Sequence, residues 1–565
     1  MCGRSAEHQQ FPGRTRMLGL GAALAISAGL LAPPGAAEPA RCGPSPVPAF
    51  FTDEARQPPV AAPDAPGHYT LTARVGRHSF HSEWPAVPTL GYQAPGAPVQ
   101  YLGPTIVTER GKPIDVTVVN GLPEAGTPIF PFDQPDDDNT ITAHRHGGLQ
   151  APESDGLPVP LQPEVPPGGS QTNHYPNDQA AAPLWYHDHV HHHTSYHVYE
   201  GLAGFIPHTD EIEAALPLPK GEFAQRFLLQ DKKFNADGTL CYSHADPVFV
   251  GDLPVVNGTV APKLSVEPRR YTFTLLNASD TRSYRIGLRQ AGGGSADRPS
   301  MTVVGSDSGY LPRPVPVDEL LIAPAERYVV VVDFTGHEAQ NWVLTNGAPS
   351  LLAAMDEVDP GGGGIPQLMR FDVGTTTSSP DRSTIPPVLT DAAERPLLAG
   401  ARLRTVQTAE EMAGHPMLGD RDRLLDYHDP VSETPQLNST EIWAMRNRSP
   451  NSHPIHLHSV ELRLIGRWRV GRWDADGKPV PGTIGPFEPP AAHESGPKDT
   501  FVSPPDQITA WAGRFAVAGT AVWHCHILSH EDAAMMRPLA VGDDPQTQLP
   551  IVRDLAELDR LVREP

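Results

Sequence analysis

Polar and apolar residues alternate along short stretches of this chain, and that two-residue period marks half-buried β-strands. Ile114-Asp115-Val116-Thr117-Val118-Val119 is one such stretch, and Tyr271-Thr272-Phe273-Thr274-Leu275-Leu276 is another. Tyr328 to Phe334 is instead a continuous run rich in β-branched residues, suited to a strand buried on both faces. Turn residues punctuate these runs, as in Asn120-Gly121, Asn257-Gly258 and Ser306-Asp307-Ser308-Gly309. A helical period persists only near Leu555 to Val562, which predicts a terminal helix. The 65 prolines and 51 glycines also favour short strands and turns over long helices.

A chain of 565 residues is too long for one core. Its composition shifts twice. Near Leu216 to Gly221 a His-rich region gives way to one with few histidines, and from Gly374 a Thr-Thr-Thr-Ser-Ser-Pro run reads as a linker. The pattern predicts an all-β chain of three consecutive Greek-key β-sandwich domains, at 68–215, 216–373 and 396–548. An extended Pro- and Ala-rich arm (38–67) precedes them, a linker (374–395) divides the last two, and a helical tail (549–565) follows.

The first 37 residues read as an export signal. Arg4, Arg14 and Arg16 give a positive start, Leu18 to Leu31 an apolar run, and Gly35-Ala36-Ala37 a cleavage site. Arg14 and Arg16 are separated by Thr15, so a twin-arginine signal is not met. The run is too short to span a bilayer, and no other segment approaches that length. The expected location is therefore periplasmic, secreted or in the cell envelope. A formal charge of -23 argues against nucleic acid or an anionic membrane as partner. Of four cysteines, Cys2 lies in the leader, and Cys42 and Cys241 are candidates for a disulfide in an oxidising compartment.

The fourth cysteine carries the chemistry. In His524-Cys525-His526-Ile527-Leu528-Ser529-His530-Glu531-Asp532-Ala533-Ala534-Met535, strand alternation turns Cys525 to one face and His524 and His526 to the other. A thiolate, two imidazoles and a weak axial thioether are the ligands of a blue electron-transfer copper, and Cys525, His530 and Met535 supply three of them. Met536 is spaced one residue too far and is assigned to packing. Further His-x-His pairs occur at His144 and His146, His187 and His189, and His456 and His458, the last behind His453. On a strand such a pair sets two imidazoles on one face about 6–7 Å apart at Cα, which suits either two neighbouring metals or two ligands of one. One pair alone reads as solvated or core histidines. Four pairs, one straddling a cysteine with a spaced His and Met, read as a metal centre.

These motifs resemble, in order, those of the multicopper oxidases, the family of laccases, bilirubin oxidases, ferroxidases and cuprous oxidases. The likeness spans about Tyr101 to Val541. It is nearest the bacterial spore-coat laccase type, through Leu184-Trp185-Tyr186-His187-Asp188-His189, Val266-Glu267-Pro268-Arg269, Ala323-Pro324-Ala325-Glu326-Arg327-Tyr328 and Lys498-Asp499-Thr500. The resemblance implies cupredoxin-like sandwiches and four copper ions. His453, Cys525 and His530 would hold the type 1 copper with Met535 axial. His144 and His456 would hold type 2, and His146, His187, His189, His458, His524 and His526 the type 3 pair.

The activity so implied is one-electron oxidation of small aromatic donors at an exposed imidazole edge of His453 or His530, coupled to reduction of O2 to water. Cys525 would pass electrons on, and Asp155 and Glu531 would supply protons. The competing reading makes Asp155 a turn opener and Glu531 a surface charge. Asp499 is expected beside a type 1 histidine, and Gly471 to Ser495 at the donor rim. His191, His192, His193 and His197 are assigned to a polar loop or helix start. The donor is expected to be a phenol, an aromatic amine or bilirubin, since the ten methionines form no cluster outside Met535-Met536. A cuprous or ferrous ion oxidase is the alternative, and a non-catalytic cupredoxin shell a remote one. A monomer is the default expectation.

Overall fold

The structure is a computed structural model, and it describes residues 42–127, 129–130, 138–243, 248–294, 297–349, 364–391, 398–411, 415–542 and 549–563. The expected leader, the first residues of the arm, part of the linker and the 543–548 end of the third expected domain lie outside the described residues.

The alternating stretches fold as their periods predict. Ile114–Asn120 is a strand whose side chains alternate strictly between buried and half-buried. Arg327–Asp333 is buried along nearly its whole length, because it lies between Arg270–Asn277 and Ser300–Ser306 inside a sheet and is packed on both faces. Every strand ladder closes within one of three successive stretches, 68–209, 224–373 or 401–552. The fold is all-β, with stacked sheets in each stretch. Leu555–Arg563 forms the terminal helix, burying Leu558 and Val562 against Trp468 and Ile508.

Two small sheets carry the chemistry-bearing motifs. In the first stretch, Ala143–His146 pairs antiparallel with Trp185–Asp188, which pairs with Ala203–Phe205. In the third, the strand order is Thr500–Ser503, His453–Leu457, Gly519–Cys525 and Met536–Val541. The stretches are joined by core as well as by chain. One buried apolar cluster runs from Phe80 and Trp185 through Leu228 and Leu276 to Leu528 of the third stretch. Fixing those sheets against each other therefore draws on the same apolar burial that folds each sandwich. No helix among the described residues is long and apolar enough to cross a membrane.

The arm is anchored at several points. Glu54 bridges to Lys263, Val60 bridges to Thr105, and Cys42 is disulfide-bonded to Cys241. That bond closes a separation of 199 residues. Loop-closure entropy then assigns it at most about 5 kcal/mol, by restricting the unfolded chain. Cys42→Ser is expected to lower the thermal midpoint without altering the metal centre. Non-reducing peptide mapping that found both cysteines as free thiols would refute the pairing.

Candidate metal centre

Strand parity places Cys525 as expected. Its thiol turns into an apolar cluster that includes Ile455, Phe501, Met535 and Leu539. His453 Nδ1 lies 3.5 Å from Cys525 Sγ and His530 Nδ1 lies 4.0 Å away. The Ile527 amide donates to the sulfur at 3.4 Å, and the Cys525 amide donates to the Met535 carbonyl at 3.0 Å. Met535 is fully buried beside the cysteine, whereas Met536 packs with Leu157, Tyr427 and Val522 in a separate apolar cluster. Burial pushes the thiol well above its ordinary pKa, His530 down to about 3, and His453 well below the usual histidine range. These shifts favour a neutral thiol and neutral imidazoles, so a metal would have to displace the thiol proton.

Two expectations about donor access are narrowed. His453 is closed off at 0% exposure, and His530 keeps only 2%. The turn after Asn447 folds over His453, placing Ser449 Oγ 2.7 Å from its Nε2, and His415 lies within electrostatic reach of His530. The predicted rim also divides. Gly477 closes on Arg448, next to Ser449, but Ile484–Glu488 forms a sheet edge and Ala492–Ser495 packs on the second stretch. Only its first part lies near the cysteine site.

The other face of the same strands gathers eight imidazoles. His456 pairs with His524 across the third-stretch sheet, and His144 with His187 across the first. His453 and His456 are three residues apart, so one strand sends them to opposite faces. His189, His458 and His524 bring one ring nitrogen each within 4.8 Å of one another, as do His144, His146 and His187, and also His144, His456 and His458. The His146, His187 and His526 ring centres are 5.0 to 5.7 Å apart. All eight are at most 1% exposed. Burial, reinforced by the neighbouring rings, holds His146, His187, His189, His456, His458 and His526 well below the usual histidine pKa.

The ring nitrogens test whether this cluster fits metal ions. His144, His187 and His456 donate through Nδ1 to the carbonyls of Asp155 (2.7 Å), Asp188 (2.8 Å) and Asp499 (2.9 Å). Their Nε2 atoms are buried without a hydrogen-bond partner. His146 is reversed: Nε2 meets Asp499 Oδ1 at 3.0 Å, and Nδ1 is left over. His458 Nδ1 meets Asp155 Oδ2 at 2.8 Å, and His524 Nδ1 faces the Cys525 carbonyl at 3.1 Å and Glu531 Oε2 at 2.9 Å. A neutral imidazole has one N–H. The Nε2 atoms of His458 and His524 therefore face each other, 3.1 Å apart, with two lone pairs. A cation satisfies that arrangement and a hydrogen bond does not.

The carboxylates lie deeper than a surface reading allows. Asp155 and Glu531 are 0% and 1% exposed, and each sits against two cluster histidines: Asp155 against His144 and His458, Glu531 against His189 and His524. Asp499 is not beside a histidine of the cysteine site, as expected, but beside His146 and His456. The strand register explains this, since His456 pairs with Thr500, the residue following Asp499.

The role of Arg327 was not visible in the sequence. Its guanidinium holds Asp499 at 2.7 and 2.5 Å, and its Nε donates to the Pro183 carbonyl. One buried ion pair thereby connects all three stretches at His146. Lys498 adds ion pairs to Asp307 (3.0 Å) and Glu326 (2.9 Å). The signal was present in the Glu326-Arg327 and Lys498-Asp499 motifs, but no local pattern says that they meet. His191 and His192 lie on an outer turn, His193 precedes the helix Thr194–Glu200, and His197 lies within it. None of the four joins the cluster.

Comparison with known proteins agrees with this geometry. Multicopper oxidase family models match residues 135–210, 242–359 and 398–545. The chain is 34% identical to the laccase of Bacillus subtilis over 520 residues, covering 86% of this chain and 96% of that one. It is 32% identical to the laccase of Haloferax volcanii over 574 residues, covering 94% and 90%. The crystal structure of a multicopper oxidase variant from Aquifex aeolicus superimposes with a TM-score of 0.71 at 25% identity, covering 87% of this chain and 100% of that one. With its cysteine site and histidine cluster built back to back on shared strands, this copper-binding oxidase belongs to the multicopper oxidase family.

Proposed function

We propose that the protein is a laccase-type oxidase that takes single electrons from phenols, aromatic amines or bilirubin and reduces O2 to water. The observation that carries this reading is the tripeptide His524-Cys525-His526. It sets a thiol in one buried site and two imidazoles in the other with only a few covalent bonds between them. When bound, copper supplies the one-electron couples that both sites need. Four ions are proposed. His453, Cys525, His530 and Met535 would hold one, and His144 and His456 a second. His146, His187 and His526 would hold a third, and His189, His458 and His524 a fourth. The last two groupings follow the ring-to-ring distances.

The remaining chemistry rests on protein groups. Cys525 connects the two sites through its own backbone, so electrons need no mobile carrier. Reduction of O2 consumes protons, and Asp155 and Glu531 are buried carboxylates in contact with cluster imidazoles on two sides. Asp155 also orients His458 through Nδ1, so it holds geometry as well as protons. Export from the cytoplasm is part of the proposal and is supported by the Cys42–Cys241 bond, which forms in oxidising compartments.

One observation favours a cuprous or ferrous ion oxidase instead. Arg537 binds the carbonyls of Asp426 and Asp429 and so fixes a turn with exposed acidic side chains in the third stretch. The missing methionine clusters weigh towards organic donors.

Three outcomes check the reading. Copper-loaded protein should consume O2 much faster with a phenolic donor than with cuprous ion; the reverse order would establish the metal oxidase. Asp155→Asn should lower turnover about 100-fold or more while the blue band at Cys525 persists, and equal turnover at every pH would remove the proton role. The copper-free protein should lose stability as pH falls. His146, His187, His189, His456, His458 and His526 sit well below 6.5 when folded, so the unfolded chain binds more protons from there downwards. Each contributes a slope of up to about 1.4 kcal/mol per pH unit. A thermal midpoint that stayed flat from about pH 7 to about pH 4 would contradict the neutral, buried cluster.

A further inference from the structure

His197 is an unusual residue for its place. It lies in the helix Thr194–Glu200, is 1% exposed, and sits where a helix ordinarily buries an apolar side chain. Its Nδ1 lies 2.6 Å from Oδ1 of Asp188, itself fully buried. Asp188 stands between His187 and His189, and its backbone carbonyl already accepts from His187 Nδ1. Its carboxylate collects two more donors: the Thr142 amide at 2.9 Å and the Val190 amide at 3.2 Å. Thr142 lies two residues before His144, and Val190 directly after His189. The His189 amide also donates to the Thr142 carbonyl at 2.8 Å. One carboxylate thus ties together the two strand ends that present His144, His146, His187 and His189.

We infer that His197 is a positioning residue for the histidine cluster: its Nδ1–H, donated to Asp188, locks the helix Thr194–Glu200 against the turn that aims His187 and His189. The carboxylate's two other donors are amides of the strand ends themselves, so His197 is the tie that reaches into a separate element. Asp188 with no side-chain donor would keep a buried lone pair unmet and could rotate away from either amide. Groups that orient ligands in this way typically alter metal affinity about 10–100-fold when removed. His453, Cys525, His530 and Met535 make no contact with Asp188, so the cysteine site should be indifferent to this lock.

The test compares three variants of the full chain with the parent, each loaded with copper and then equilibrated with a chelator. Copper per chain, the blue absorbance of the Cys525 site and the magnetic resonance signal of the cluster are read together. His197→Leu should lose cluster copper about 10–100-fold more readily while its blue absorbance is kept. His197→Asn should behave like the parent, since its amide nitrogen falls where Nδ1 does. His197→Gln, whose amide reaches the Nε2 position, should behave like Leu. Parent-like retention by both the Leu and Gln variants overturns the inference. If the Leu variant does not fold, the Asn and Gln pair decides: weaker retention by Gln supports the lock, and equal retention overturns it. The inference rests on the proposed copper cluster, and the two fail separately. A parent that takes up copper only at Cys525 defeats the cluster before any variant is made. A fully loaded parent matched by all its variants defeats the lock alone.

Discussion

The structure depends on solving one problem, which is how to bury eight imidazoles together without leaving their nitrogens at random. A neutral ring has one N–H and one lone pair, and burial favours that form in His146, His187, His189, His456, His458 and His526. Where a partner holds one nitrogen, it is a backbone carbonyl or a carboxylate, so the other nitrogen is committed to the centre of the cluster. Without those partners the rings would rotate to bond each other. The facing lone pairs of His458 and His524 show how far the arrangement has been driven towards a cation.

That problem cannot be solved within one sandwich. The imidazoles come from the first and third stretches, and the groups that hold them come from all three. Arg327, on a buried central strand of the second stretch, fixes Asp499 of the third, which fixes His146 of the first. A buried ion pair of this kind is weak support for stability, because desolvation cancels much of its attraction. Its value here is geometric, since the bidentate fork sets the carboxylate's plane. The apolar cluster that reaches from Phe80 to Leu528 provides the affinity between stretches, and the ion pairs set their register.

The cysteine site follows the opposite logic. It is lined by apolar side chains and one N–H···S hydrogen bond, with His453 closed off from solvent and His530 nearly so. Such a pocket excludes water and holds a thiol neutral until a metal arrives. The turn from Asn447 to Ser452 closes this pocket on the His453 side, with Ser449 Oγ against its Nε2.

Much of this was legible in the sequence because it depends on periods. The two-residue alternation fixed which face Cys525, His524 and His526 occupy, and the buried run at Tyr328 to Phe334 fixed a central strand, since strand geometry is local. The residues that gather at the two sites were legible for the same reason, as His-x-His spacing is itself a statement about one strand face. What the sequence could not contain was which distant groups complete those faces. Asp499 was expected beside the cysteine site and lies at His146, because the pairing of His456 with Thr500 is decided between strands. Solvent access at His453 depended on a turn folding back over it, and the contact of His197 with Asp188 on a helix packing against a strand end. Spacing along the chain determines which side chains share a face; only packing between elements decides what that face meets.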